Sequence, residues 1–108
     1  MEPLINVVKK IDGDRCTLAL DGVLDYSSMD PFIEEIRSLE KWINNVIVDF
    51  SGLQFIDSTG IGAIINLVHE ANTNDFEVEL VGINEEVQML FDTIGVFKIM
   101  ESLKKGGN

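Results

Sequence analysis

Apolar residues recur along this chain with two different periods, and the changes between them mark out its elements. Residues 4 to 11 and 15 to 21 are short β-prone runs flanking Asp12-Gly13-Asp14, a turn-forming cluster whose length predicts an antiparallel hairpin. Met29, Phe32, Ile33, Ile36, Leu39 and Ile43 follow at helical spacing, with Ser27 or Ser28 as N-cap and Pro31 tolerable in the first turn. The run "VIVDF" at 46 to 50 is almost wholly apolar, which predicts a central strand buried on both faces. A second helix carries Ile61, Ile64, Ile65, Val68 and Ala71 on one face and ends near the breaker "NTND". A strand at 76 to 83 comes next. The third helix, "NEEVQMLFDTIG", has Asn84 as N-cap, Glu85 and Glu86 at the positive end of the helix dipole, and Gly95 as its stop. A last short strand at 97 to 100 and a frayed "KKGGN" tail complete the reading.

Strand and helix alternate after residue 45, so those strands are expected to run parallel with right-handed crossovers. The expected fold is α/β, with a mixed sheet of about five strands and the helices packed on it. With 108 residues and 45% hydrophobic content, the chain has material for one core. Eight basic against nineteen acidic residues give a net charge of -11. That balance repels phosphate backbones and anionic lipid, so direct nucleic-acid or membrane binding is not expected. The N-terminus lacks the layout of a signal peptide, and no apolar run approaches the roughly 20 residues of a membrane span, which gives a cytoplasmic address. Cys16 stands alone and reads as a buried structural thiol. Trp42 and the methionines, notably Met89, fall at helical spacing and are expected to pack in the core or at helix ends.

The chemistry concentrates in "VDFSGLQFIDSTGIGAII", residues 48 to 65. In an open α/β sheet the functional edge lies beyond the carboxyl ends of the parallel strands, where the loop from 46–50 to the second helix falls. Ser58 as N-cap would place Thr59, Gly60, Ile61 and Gly62 in the first helical positions, and capping alone would account for the serine. The glycines ask for more, because each costs about 1 kcal/mol against alanine inside a helix. Either the helix start packs tightly on the sheet, or a partner needs clear access to the Ser58 hydroxyl. A serine on an exposed helix N-terminus is a good phosphate acceptor, since free N–H groups and the dipole there tolerate an added dianion.

Enzymatic readings find little to build on. His69, the one histidine, lies eleven residues along the same predicted helix from Ser58, or roughly 16 Å at 1.5 Å per residue, which excludes a Ser-His pair. No Cys/His cluster suggests zinc, and Gly60-x-Gly62 lacks the remaining glycine of a dinucleotide fingerprint and the lysine of a P-loop. Asp49 ends an apolar run much as a phospho-accepting aspartate does in a receiver domain. The first strand, however, is not followed by the acidic pair such a site needs for magnesium. The chain is expected to be a non-enzyme without a cofactor.

"DFSGLQFIDSTGIGAI" resembles the signature of STAS-domain proteins, in particular the stand-alone bacterial anti-sigma factor antagonists, whose phosphorylated serine is matched by Ser58. "LALDGVLDYSSMDPF" is similar to that family's second strand and following loop, with Asp25 as the acidic residue before the first helix. "VELVGINEEVQMLFDTIGVFKI" is similar to its later strand, helix and final strand. The resemblance spans residues 1 to 108 as one STAS domain, with Tyr26-Ser27-Ser28 and the strongly acidic charge as its departures. It implies an antagonist whose unmodified form binds an anti-sigma factor that is also a serine kinase, freeing the sigma factor. Phosphorylation at Ser58 by that kinase ends the binding and a phosphatase resets it. The implied partner-binding residues are Asp25, Asp57, Ser58, Thr59, Gly60 and Gly62. Asp57 serves either the hydroxyl and the kinase or the turn alone, Asp25 either the edge or its own loop, and Thr59 is a second candidate hydroxyl. The free protein is expected to be a monomer. The alternative is a STAS interaction or scaffold module that is never phosphorylated.

Overall fold

The computed structural model describes residues 5 to 106. Strands β1 (Ile5–Asp12) and β2 (Arg15–Leu24) form the expected antiparallel hairpin, closed by a turn in which Gly13 takes φ +63°. Helix α1 (Met29–Arg37) leads to β3 (Asn45–Ile56), which pairs parallel with β2 on one side and with β4 (Glu77–Val81) on the other. Helix α2 (Ser58–Asn74) makes the crossover between β3 and β4, and α3 (Glu85–Ile94) and α4 (Val96–Gly106) end the described chain. The sheet order is β1-β2-β3-β4.

One face of this sheet is dry and the other is wet. Cys16, Leu18 and Leu20 from β2 and Val46, Val48 and Phe50 from β3 are buried together with Phe32 and Ile36 of α1, Ile61, Ile64 and Leu67 of α2, and Phe91 of α3. On the opposite face Val8, Lys10, Asp21, Glu77 and Glu79 are exposed, and Thr17, Ala19, Ile47 and Asp49 are half-buried. The expectation that the 46–50 run is buried on both faces is therefore corrected. β3 is central, but only its alternate residues are covered, as in a sheet with helices on one side.

The expected fifth strand at 97 to 100 is also corrected, because that segment lies in α4. Gly95 ends α3 in the left-handed region, at φ +85°, with its N–H donating to the Phe91 carbonyl. A new helix then starts at Val96, and Val96, Phe97 and Met100 pack on the core at helical spacing. The Phe91 ring bridges Phe50 of the sheet and Phe97 of α4 by edge contacts, at centroid separations of 5.6 and 6.0 Å. Of the "KKGGN" tail, Lys104 to Gly106 lie within α4 and the last two residues fall outside the described ones.

The other local expectations divide. Asn84 caps α3 by accepting from the Val87 N–H at 2.9 Å, and Cys16 is buried, which pushes its thiol pKa up. Trp42 and Met89 do not pack in the core: they are 61% and 69% exposed. Helical spacing placed both on a covered face, whereas α1 ends at Arg37, leaving Trp42 in a loop, and Met89 lies on the outer side of α3.

Candidate functional site

Leu24 and Ile56, the last residues of β2 and β3, are paired neighbours, so Asp25 and Asp57 leave the sheet side by side at its carboxyl edge. The two loops are then fastened together. The Asp57 N–H donates to the Leu24 carbonyl at 3.4 Å, and Gly60 is buried against that same carbonyl. A Cβ at Gly60 would collide with the Leu24 oxygen and stand 2.8 Å from Cγ1 of Ile56. Tight packing of the helix start on the sheet thus explains this glycine.

Tight packing does not explain Gly62. It is exposed, and a Cβ there would meet nothing within 4 Å. It follows Ser58 by four residues, so the two share one face of α2. The surface beside the hydroxyl is bare.

Asp57, not Ser58, is the N-cap, which corrects the sequence expectation. Its backbone is extended, its Oδ1 accepts from the Gly60 N–H at 2.9 Å, and its carbonyl accepts the first helical bond from Ile61 N–H at 3.0 Å. Aspartate and serine are equally good caps by residue type, and the one that meets the third helical amide is set by where β3 stops. The consequence is chemical: Ser58 becomes the first helical residue, exposed, its hydroxyl released from capping. Thr59, the second, is half-buried. The N–H groups of both are among those a helix start leaves without helical acceptors.

Asp25 is drawn into its own loop. Its Oδ1 accepts from the Ser27 hydroxyl at 2.8 Å and the Ser27 N–H at 3.0 Å, with the Ser28 hydroxyl at 3.1 Å. These bonds, the Ser27 hydroxyl foremost, hold its carboxyl below the usual range, so it is an anion at neutral pH. Ser28, one of the two serines expected to cap α1, stands at its N-cap position but spends its hydroxyl on the turn. It is buried, its hydroxyl donates to the Val23 carbonyl and accepts from the Asp25 N–H, and it fixes the turn without giving α1 a side-chain cap. Tyr26 and Phe55, 77% and 54% exposed, flank the loops. For Phe55 the signal was present: it immediately precedes inward-facing Ile56 in a strand.

The residues of the rival readings are placed elsewhere. Asp49 sits inside β3 opposite Val81, on the wet face, where its carboxylate accepts from Ser51 Oγ at 2.7 Å and Ser51 N–H at 2.9 Å. These bonds lower its pKa, led by that of the hydroxyl. His69 is exposed three turns down α2. Among the described residues no group of three His, Cys, Asp or Glu side chains gathers in a metal-holding cluster.

The sequence matches the STAS domain family over residues 6–105. It is 26% identical over 98 residues to an anti-sigma-B factor antagonist of Staphylococcus epidermidis, an alignment covering 89% of this chain and 90% of that protein. Its fold is similar to the Bacillus cell fate determinant SpoIIAA in the phosphorylated form. There the TM-score is 0.69 at 18% identity, over 87% of this chain and 86% of that one. It is also similar to part of Mglu, with a TM-score of 0.66 at 22% identity over 72% of this chain, which spans 20% of the Mglu chain.

Proposed function

This chain belongs to the STAS domain family, and from that membership we propose that it is an anti-sigma factor antagonist switched by phosphorylation of Ser58. The observation that carries the reading is the division of labour at the start of α2: Asp57 does the capping, and the exposed Ser58 hydroxyl is left for a kinase. In the unmodified state the edge built from Asp25, Asp57, Ser58 and Thr59, with bare Gly62 behind it, docks on an anti-sigma factor that is also a serine kinase, and the sigma factor is freed. Gly60 serves this surface from beneath by holding α2 against the β2 end.

Phosphate transfer from ATP to Ser58 then adds about -1.5 to -2 charge to an edge that already carries two carboxylates. Unit charges about 4 Å apart interact by roughly 4 kcal/mol at an effective dielectric of 20, so a third of that suffices to weaken binding about tenfold. The phosphate itself is favourable to α2, because it sits at the positive end of the helix dipole. Release therefore comes from repulsion and desolvation at the interface, with the helix intact. A phosphatase restores the binding form. No helix among the described residues is long and apolar enough to cross a membrane, and we place this exchange in the cytoplasm.

The test is incubation of the protein with its cognate anti-sigma kinase and ATP, followed by phosphopeptide mapping. Phosphate on Ser58 in the wild type, and none in Ser58→Ala, is the expected result. Stable binding of the kinase with no phosphate incorporated would instead favour an unmodified scaffold module.

A further inference from the structure

Exposed apolar side chains are costly at a carboxyl edge that carries two acidic residues, yet the two aromatics that flank Ser58 are both turned outward. Tyr26 is 77% exposed and Phe55 54% exposed. Phe55 is three residues before Ser58, so the chain separates them by at most about 11 Å. Its strand neighbour is Val23, three residues before Tyr26, which puts the two rings' backbones within roughly 16 Å of each other. Separations of that size lie within the span of one standard docking patch of about 800 Å² per partner.

The helix that begins at Ser58 is poor in charge over its first three turns. A quarter of the chain's residues are charged (25%), yet "STGIGAIINLVH", from Ser58 to His69, has no Asp, Glu, Lys or Arg. Its outward positions Ser58, Gly62, Asn66 and His69 include no carboxylate, lysine or arginine. Charge is depleted and aromatic residues are enriched at the buried centres of protein interfaces. At the helix start Asp25 and Asp57 leave the sheet side by side, in a chain of net charge -11.

Resting on the antagonist reading, we propose that Tyr26 and Phe55 are the apolar anchors of docking, and that the partner receives them in an apolar pocket rimmed by lysine or arginine. The hydroxyl at Ser58 then decides whether the complex persists, while the two rings supply its affinity.

The experiment measures the affinity of the purified cognate anti-sigma kinase for four variants: Tyr26→Ser, Phe55→Ser, Ser58→Glu and Trp42→Ser. Trp42, 61% exposed in the α1–β3 loop, controls for the loss of any exposed ring. Thermal melting accompanies each, and Tyr26→Ser, which removes no buried contact, covers the case in which Phe55→Ser is unstable. Tyr26→Ser and Phe55→Ser are expected to weaken binding at least about tenfold, with Trp42→Ser within twofold of wild type. Aromatic variants that bind like wild type while Ser58→Glu is weakened overturn the anchors and leave the switch standing. Weakened aromatic variants with Ser58→Glu unchanged do the reverse, and a wild type that does not bind the kinase overturns both.

Discussion

Ser58 and Gly62 stand one turn apart on the same exposed face of α2, and the space a side chain at Gly62 would occupy is empty. Gly60, two residues away, is walled in by Leu24 and Ile56. Two glycines that look equivalent in the sequence therefore do opposite things, one closing the helix onto the sheet and the other clearing its outer surface.

Alanine substitution separates them. Gly62→Ala should stabilise the free protein by up to about 1 kcal/mol, since it improves helix propensity without a clash. Gly60→Ala should destabilise it by about 1–3 kcal/mol, the range for overpacking. Near 100 residues each kcal/mol moves the melting temperature by about 4–8 °C, so a thermal melt shows the two shifts with opposite signs.

Asp57→Ala should cost about 1 kcal/mol by leaving the Gly60 N–H without its acceptor. Asp57→Asn should recover most of that, because asparagine caps equally well. The asparagine variant thus removes the charge at nearly constant stability. If its melt fell as far as that of the alanine variant, capping would not be the role of this side chain.

Phosphorylation of Ser58 should leave α2 folded. Hydrogen exchange on the phosphoprotein should show amides from Ile61 to Leu67 protected at least as well as in the unmodified form, because the added dianion faces the positive end of the helix. Faster exchange there would mean that release works by melting.

The Asp25 loop gives a pH dependence of defined sign. Hydrogen bonds from Ser27 and Ser28 lower the folded-state pKa of its carboxyl, so the stabilisation is complete above the unfolded value of about 3.9 and is lost as pH falls through the lower folded value. An NMR titration of the Ser27 amide should have its midpoint below about 3.9, and no inflection from Asp25 between pH 5 and 8. In Asp25→Asn that acidic midpoint should disappear.

Much of this was legible in the sequence because local chemistry and tertiary structure agreed. The turn at Gly13, the Asn84 cap and the Gly95 stop are each set by one residue's backbone or side-chain preference, and each stands where it was expected. The failures came where tertiary context decided. "VFKI" is a short apolar run that suits strand or helix alike, and its fate as α4 follows from packing against Phe91. Whether 46–50 was covered on one face or two depended on where helices far along the chain would lie. The capping swap between Asp57 and Ser58 turned on a single residue of strand length, finer than periodicity resolves.

The one-sided sheet carries a last consequence. β1 and β4 are both edge strands, free along one flank to pair with another chain among the described residues. β4 carries Glu77 and Glu79, and β1 carries Lys10 and Asp12, exposed charges that make lateral strand addition unfavourable. Such guarded borders disfavour growth of the sheet by lateral addition of further copies at either edge.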